Sequence, residues 1–280
     1  MLRDRLLTRI AGAALAAALA LAASPLLGAA PTASRNPRAA IVQKVYPSAV
    51  RVRITAAGET VRTASGIAFA CDGGKTYVLT NAHVVEPARA WKAPVEIRVL
   101  PSGGQPPIVA SVTARGRVPD ADLAVLEVAG ELPVTPIAGD DGIELGEDLV
   151  VIGAPFGKGL SVAAGIVSQV EYDFAENAEA PRTPKAMKTD AAIGYGSSGG
   201  GVFDVTHGRL VGLVEGYRTA RVAFGKEEEY SFDVPMPGET FVAPAAKIRR
   251  FLGENGLGRL APGTAVPARG AVATPSAPRL

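Results

Sequence analysis

Ser198 lies in the run Gly196-Ser197-Ser198-Gly199-Gly200. A serine set among glycines can project its hydroxyl from a tight turn while nearby backbone N–H groups grip an oxyanion, which suits attack on a carbonyl. Such a weak nucleophile needs a base and an acid from elsewhere in the chain. There are two histidines. His83, in Leu79-Thr80-Asn81-Ala82-His83-Val84-Val85, sits where a strand runs into a short turn or helix and is the candidate base. A hydrogen-bonded strand-end histidine would look the same. His207, in Asp204-Val205-Thr206-His207-Gly208-Arg209, reads as a solvated loop residue. Asp122, in Asp120-Ala121-Asp122-Leu123-Ala124-Val125-Leu126, opens an apolar strand, where its charge can be partly buried and aimed at a partner. Asp120 is the better match for a simple turn cap.

Two folds use such a serine. Gly196-Ser197-Ser198-Gly199-Gly200 fits the nucleophile elbow of α/β-hydrolases, which requires the chain order serine, acid, histidine. Only His207 follows Ser198, nine residues on, and the chain lacks alternating strand and helix units. The order His83, Asp122, Ser198 instead matches double-barrel serine proteases. Metal chemistry finds no ligand cluster in two separated histidines and one cysteine, and no cofactor is expected. The run Glu227-Glu228-Glu229, in an insert at residues 218–237, reads as a solvated charge run rather than a Ca²⁺ site.

These residues must be carried by short strands. Apolar runs between Gly, Pro and Asp turns recur at residues 49–55, 66–71, 77–81, 95–100, 108–115 and 123–128. A second set falls at 148–153, 161–171, 186–189, 201–204, 210–214 and 240–243. Regular short strands of this kind predict barrels or a sandwich, in two similar lobes joined near residues 131–142. One helix is predicted at residues 244–252, with Pro244 at its start, Gly253 after it, and Ile248, Phe251 and Leu252 on one face. Cys71, at the end of Ile67-Ala68-Phe69-Ala70, reads as a small buried core residue. A lone cysteine allows no intramolecular disulfide.

The first 30 residues read as a secretory signal, with Arg3, Arg5 and Arg9, then an apolar run over residues 10–23, then small residues. An uncleaved anchor is the alternative, and only that form would involve a membrane. Either form predicts export, to the periplasm or outside the cell. Residues 31–40 read as a linker and 257–280 as a disordered tail. Three of the 29 basic and one of the 27 acidic residues lie in residues 1–34, so the remainder is neutral. Nothing here supports a nucleic-acid partner.

The motifs together resemble the trypsin-like proteases of the HtrA/Deg type. Thr80-Asn81-Ala82-His83-Val84-Val85 is similar to that family's histidine motif, and Asp122-Leu123-Ala124-Val125-Leu126 to its aspartate motif. Thr189-Asp190-Ala191-Ala192-Ile193 leading to Gly196-Ser197-Ser198-Gly199-Gly200 is similar to its serine motif. Ile152-Gly153-Ala154-Pro155-Phe156-Gly157 with Gly165-Ile166-Val167-Ser168 resembles the opening of its second barrel. The likeness runs over residues 41–252. It implies an all-β fold of two six-stranded antiparallel β-barrels with a C-terminal helix, residues 41–130 in the first and 143–256 in the second.

The resemblance also implies roles. Ser198 is the expected nucleophile, His83 the base and then acid, and Asp122 the group that orients the imidazole. The N–H groups of Gly196 and Ser198 are the expected oxyanion hole. Ala192, six before the serine, is the expected floor of the primary pocket, beside Ile193, which favours small or medium aliphatic side chains over Lys or Arg. Substrate backbone would pair along Leu213, Val214 and Glu215. Asp190 is the expected structural flank of the pocket. Ser197 stands where the family has Asn or Asp, and Gly194-Tyr195 replaces a more polar pair, which alters the loop around the oxyanion hole. No PDZ domain is expected in residues 257–280. The implied partners are protein or peptide substrates and, since family members are often trimers, a homo-oligomer. The competing reading is a protease-fold binding or chaperone-like protein with little proteolysis.

Overall fold

Val50, Val52 and Ile54 alternate with Arg51 and Arg53 in β1 (Ala49–Ala56), so one face of the strand enters a core while the other carries charge. The computed structural model describes residues 36–86, 94–139, 143–172, 183–224 and 230–262. β1 pairs antiparallel with β2 (Glu59–Asp72) and with β4 (Val95–Pro101). Together with β3 (Lys75–Thr80), β5 (Ile108–Arg115) and β6 (Ala124–Ala129) they close in the order β1-β2-β3-β6-β5-β4. Val50, Val52, Ile54, Val78, Val99 and Leu126 fill the inside of this barrel.

Strands β2, β3 and β6 are apolar on both faces. Ile67, Phe69, Leu79 and Val125 belong not to the first barrel's interior but to a cluster shared with the second barrel. Burial on two sides explains why Leu123-Ala124-Val125-Leu126 reads as a continuous apolar run. The second barrel closes in the order β10-β11-β12-β9-β8-β7. Its strands are β7 (Asp148–Gly153), β8 (Ser161–Tyr172), β9 (Pro184–Thr189), β10 (Gly201–Asp204), β11 (Leu210–Phe224) and β12 (Tyr230–Pro244). Two closed six-stranded barrels are thus the architecture, and closure leaves no long unpaired edge within either one.

Several expectations are corrected. The insert expected at residues 218–237 is a continuation of β11 and β12 into one long hairpin, with Thr219 opposite Pro235 and Val222 opposite Phe232. Register shifts at Val214/Gly216 and Tyr217/Thr219 break the alternation that would reveal a strand. Cys71 is exposed rather than buried, because it sits at the projecting end of β2 beside the Asp72-Gly73-Gly74 turn. The stretch read as linker is helical from Pro37: α1 (Pro37–Val45) starts at Asn36, whose side chain accepts from Arg38 N at 3.0 Å, with Pro37 in the first turn. Its Ile41, Val42 and Val45 pack on the shared core.

The short helix expected around His83 is α2 (Ala82–Val85), and the C-terminal one is α3 (Ala245–Glu254). Pro244 caps α3 rather than opening it, and Gly253 lies inside it. Ala245, Ile248, Phe251 and Leu252 form its buried face. The segment read as tail begins with a 3-10 turn, Gly258–Leu260, whose Leu260 is buried against the core. The leader, Glu227-Glu228-Glu229 and residues 263–280 lie outside the described residues.

Candidate active site

Strand pairing brings the base and acid segments together. β3 and β6 are neighbours, with Thr80 opposite Ala124, so the chain leaving β3 runs beside the chain entering β6. Asp122 Oδ2 lies 2.6 Å from His83 Nδ1, and Asp122 Oδ1 accepts from His83 N at 2.9 Å. Both carboxylate oxygens therefore hold one residue, by its ring and by its backbone. The Asp122 side chain is 14% exposed and that of His83 39%, so the acid is shielded while the ring reaches the surface. A carboxylate at Nδ1 favours the tautomer protonated there, which leaves Nε2 as a proton acceptor.

Two residues not singled out from sequence steady this arm. Buried Asn81 donates from Nδ2 to Asp122 O at 2.8 Å. Arg62 Nη1 donates to the carbonyls of His83, of Val84 at 2.8 Å and of Glu86 at 3.1 Å, capping the last carbonyls of α2. Burial lowers the Arg62 pKa below its usual value, with Glu86 pulling the other way. Arg62 carries no local sequence signal, since it acts from another strand; Asn81 lies inside the histidine motif, but its bond reaches a segment distant in the chain.

The serine turn joins β9 to β10. Gly196 and Gly199 have φ of 90° and 81°, the left-handed region that glycine enters without strain. Ser197 is buried, donates from its N–H to Gly194 O at 3.0 Å, and accepts at Oγ from Gly194 N at 3.3 Å. The turn thus uses Ser197 and leaves Ser198 half-buried. Ser198 O accepts from Ser65 N at 2.9 Å. A Cβ on Gly199 would strike the Ser65 carbonyl and Thr80 Oγ1, so the turn is pressed against the strand end that leads to His83. Tyr195 O accepts from Phe156 N at 2.5 Å, which sets the plane of the Tyr195–Gly196 peptide and turns the Gly196 N–H to the opposite side. Among the described residues neither Gly196 N nor Ser198 N donates to a protein acceptor. No hydrogen bond there joins the Ser198 hydroxyl to the His83 ring; such contacts are often long before substrate binds.

Residues 64–213, which span all three segments, match the family model of the trypsin-like peptidase domain. The chain belongs to this family. It is an HtrA-like member. It is 38% identical over 157 residues to the serine protease Do-like HtrA of Bacillus subtilis, covering 53% of this chain and 32% of that protein. It is 35% identical over 154 residues to the periplasmic serine endoprotease DegP of Escherichia coli K12, covering 54% of this chain and 29% of that one. The chain therefore spans about a third of the length of these relatives. A crystal structure of the serine endoprotease from Yersinia pestis superposes with a TM-score of 0.58 at 25% identity, over 82% of this chain and 68% of that one.

A pocket of about 300 Å³ lies beside the serine turn of this chain. Its lining includes Ala192, Ile193 and Gly194 of the serine segment, Val151 of β7, Ala163 of β8 and Pro235 of β12. Leu213 and Val214, expected to pair with substrate, are fully buried, and the Val214 backbone is already taken: Gly199 N donates to Val214 O at 3.0 Å and Val214 N to Gly200 O at 2.8 Å, while Leu213 lies between Gly201 and Ala243 of the neighbouring strands. Glu215 sits at a bulge, and its carboxylate takes Lys247 Nζ of α3 at 2.7 Å. Asp190 accepts from Ile166 N at 2.7 Å, a bond between β8 and the serine segment. His207 is half-exposed, at the turn that joins β10 to β11.

Proposed function

We propose that this protein is an exported serine endopeptidase of the HtrA-like type, which cleaves peptide bonds through an acyl-enzyme on Ser198. The grip of Asp122 on His83 by both carboxylate oxygens, with the serine turn packed against the same strand end, carries this reading. Ser198 Oγ attacks the scissile carbonyl and passes its proton to His83 Nε2. His83 then gives that proton to the leaving amine, and Asp122 stabilises the imidazolium in between. The N–H groups of Gly196 and Ser198 receive the oxyanion. Water repeats the sequence on the acyl-enzyme and releases the acid.

The pocket lining of Ala192, Ile193, Val151 and Ala163 has no charge to receive Lys or Arg, which supports cleavage after small or medium aliphatic side chains. The substrate main chain would meet this strand at the bulged Glu215, since the backbone of Val214 is bonded to Gly199 and Gly200. The basic and apolar leader supports export, and the name of the DegP relative is periplasmic. The substrates are proteins or peptides.

The test is a fluorophosphonate label on the protein lacking its leader, with casein as substrate. Wild type is expected to label and to cut casein after aliphatic residues, and Ser198→Ala to do neither. A label that survives Ser198→Ala, or wild type that neither labels nor cuts under any condition, would sink the proposal and favour a binding protein on a protease fold.

A further inference from the structure

Ser65 lies in β2 of the first barrel yet serves the second. It is 1% exposed. Its hydroxyl donates to the carbonyl of Gly196 at 2.7 Å and accepts from the N–H of Ala154 at 2.7 Å. Its own N–H donates to Ser198 O at 2.9 Å, and its carbonyl accepts from Thr80 Oγ1 at 2.9 Å. One side chain and its backbone therefore tie the serine turn, the turn after β7 and the strand end before His83.

The surroundings leave little slack. A Cβ on Gly196 would come 2.6 Å from the Ala154 carbonyl, and one on Gly153 would come 3.2 Å from Ser65 Oγ. A turn packed this closely depends on the directions of its few hydrogen bonds. Gly196 is the residue at which they meet: its carbonyl is held by Ser65, while the peptide before it is held through Tyr195 O.

We propose that Ser65 is a positioning residue for the oxyanion site, its hydroxyl fixing the Gly196 carbonyl and thereby aiming the N–H groups of Gly196 and Ser198. This rests on the reading of Ser198 as nucleophile. Ser65 touches no reacting atom. Without its hydroxyl, the Gly196 carbonyl and the Ala154 N–H lose a partner in a place water scarcely enters, and the Gly196–Ser197 peptide, then held only through Ser197 N–H to Gly194 O, can tilt about that bond. Oxyanion donors act on the transition state more than on bound substrate, so the loss belongs in kcat and not in KM.

The experiment compares wild type with Ser65→Ala on a peptide substrate, and measures affinity for a peptide boronate, which forms a tetrahedral adduct, and for an uncleavable peptide. Full loss of one oxyanion donor lowers kcat by about 10²–10³, and a misaimed one should lower it by roughly 10- to 100-fold. The expected result is that fall in kcat, an equal fall in boronate affinity, and unchanged KM and uncleavable-peptide affinity. Unchanged kcat and boronate affinity with only a lower Tm would make Ser65 a structural tie and overturn the proposal. So would a raised KM at constant kcat. If Ser65→Ala does not fold, Ser65→Cys keeps a donor at this position, weaker and slightly larger, and should show the same pattern in milder form. Wild type that takes no fluorophosphonate overturns the protease reading and this inference with it; labelled wild type with an unaffected Ser65→Ala overturns this inference alone.

Discussion

At the scale of residues, the site depends on directions more than on identities. Asp122 could hold His83 by one oxygen, but it uses two, so ring orientation and backbone position are set together. Asp122→Asn would keep the shape while presenting an amide N–H or a weaker acceptor to Nδ1, which favours the wrong tautomer. In the proposed mechanism kcat should fall by about 10⁴ with little change in Tm. Peptide hydrolysis and thermal melting on the same sample check this, and a fall of less than tenfold would remove Asp122 from the mechanism. The types of these three residues, and the preference for Ser198 over Ser197, are legible from order and glycine flanks. Asn81, Arg62 and Ser65 are not, because each bonds a segment reached only by folding.

At the scale of elements, turns decide what strands can present. The β10–β11 turn is organised by Asp204, whose carboxylate accepts from His207 N, from Arg209 N at 3.1 Å and from Arg209 Nε at 3.2 Å. Burial alone would raise its pKa, but these bonds and the Arg209 charge outweigh it and hold the carboxyl below its usual value. A pKa lowered by folding stabilises the protein above the unfolded value, about 3.9, and that contribution is lost as pH falls through and below it. Asp204→Asn should therefore be less stable by about 1–3 kcal/mol near neutrality. Urea midpoints should show the gap from wild type narrowing as pH drops below about 4; a gap constant with pH would refute the assignment. Strand limits such as those of β5, β7 and β10 follow from apolar runs between turn residues. The β11–β12 hairpin does not, since bulges interrupt its period, and α1 was hidden by the polar residues around its Asn36-Pro37 start.

At the scale of the whole molecule, the barrels share a core, and the site lies on the tie between them. Phe69, Ile67, Leu79 and Val125 come from the first barrel but pack with Leu213, Phe203 and Ile152 of the second in one cluster. Phe69, 3% exposed, is a wedge in that cluster. Phe69→Ala should cost about 3–5 kcal/mol and lower Tm by on the order of 10 °C for a domain of this size. Calorimetry should show one transition in both proteins, because the shared cluster covers apolar faces of β2, β3 and β6 that the first barrel alone would leave in water. Two separated transitions in the variant would mean that the barrels fold independently.

The sequence by itself determined the strand-rich pattern, the two sets of strands, the C-terminal helix, and the order of histidine, aspartate and serine. These leave local traces, since period, turn residues and glycine flanks act within a few positions. Tertiary structure alone decided which strands are buried on both faces, that Glu215 belongs to Lys247 rather than facing outward unpaired, and that Ser65 joins three segments at the serine turn. Those outcomes depend on contacts between residues far apart in the chain. A buried serine that bonds across two barrels has the same local sequence as one that bonds to nothing.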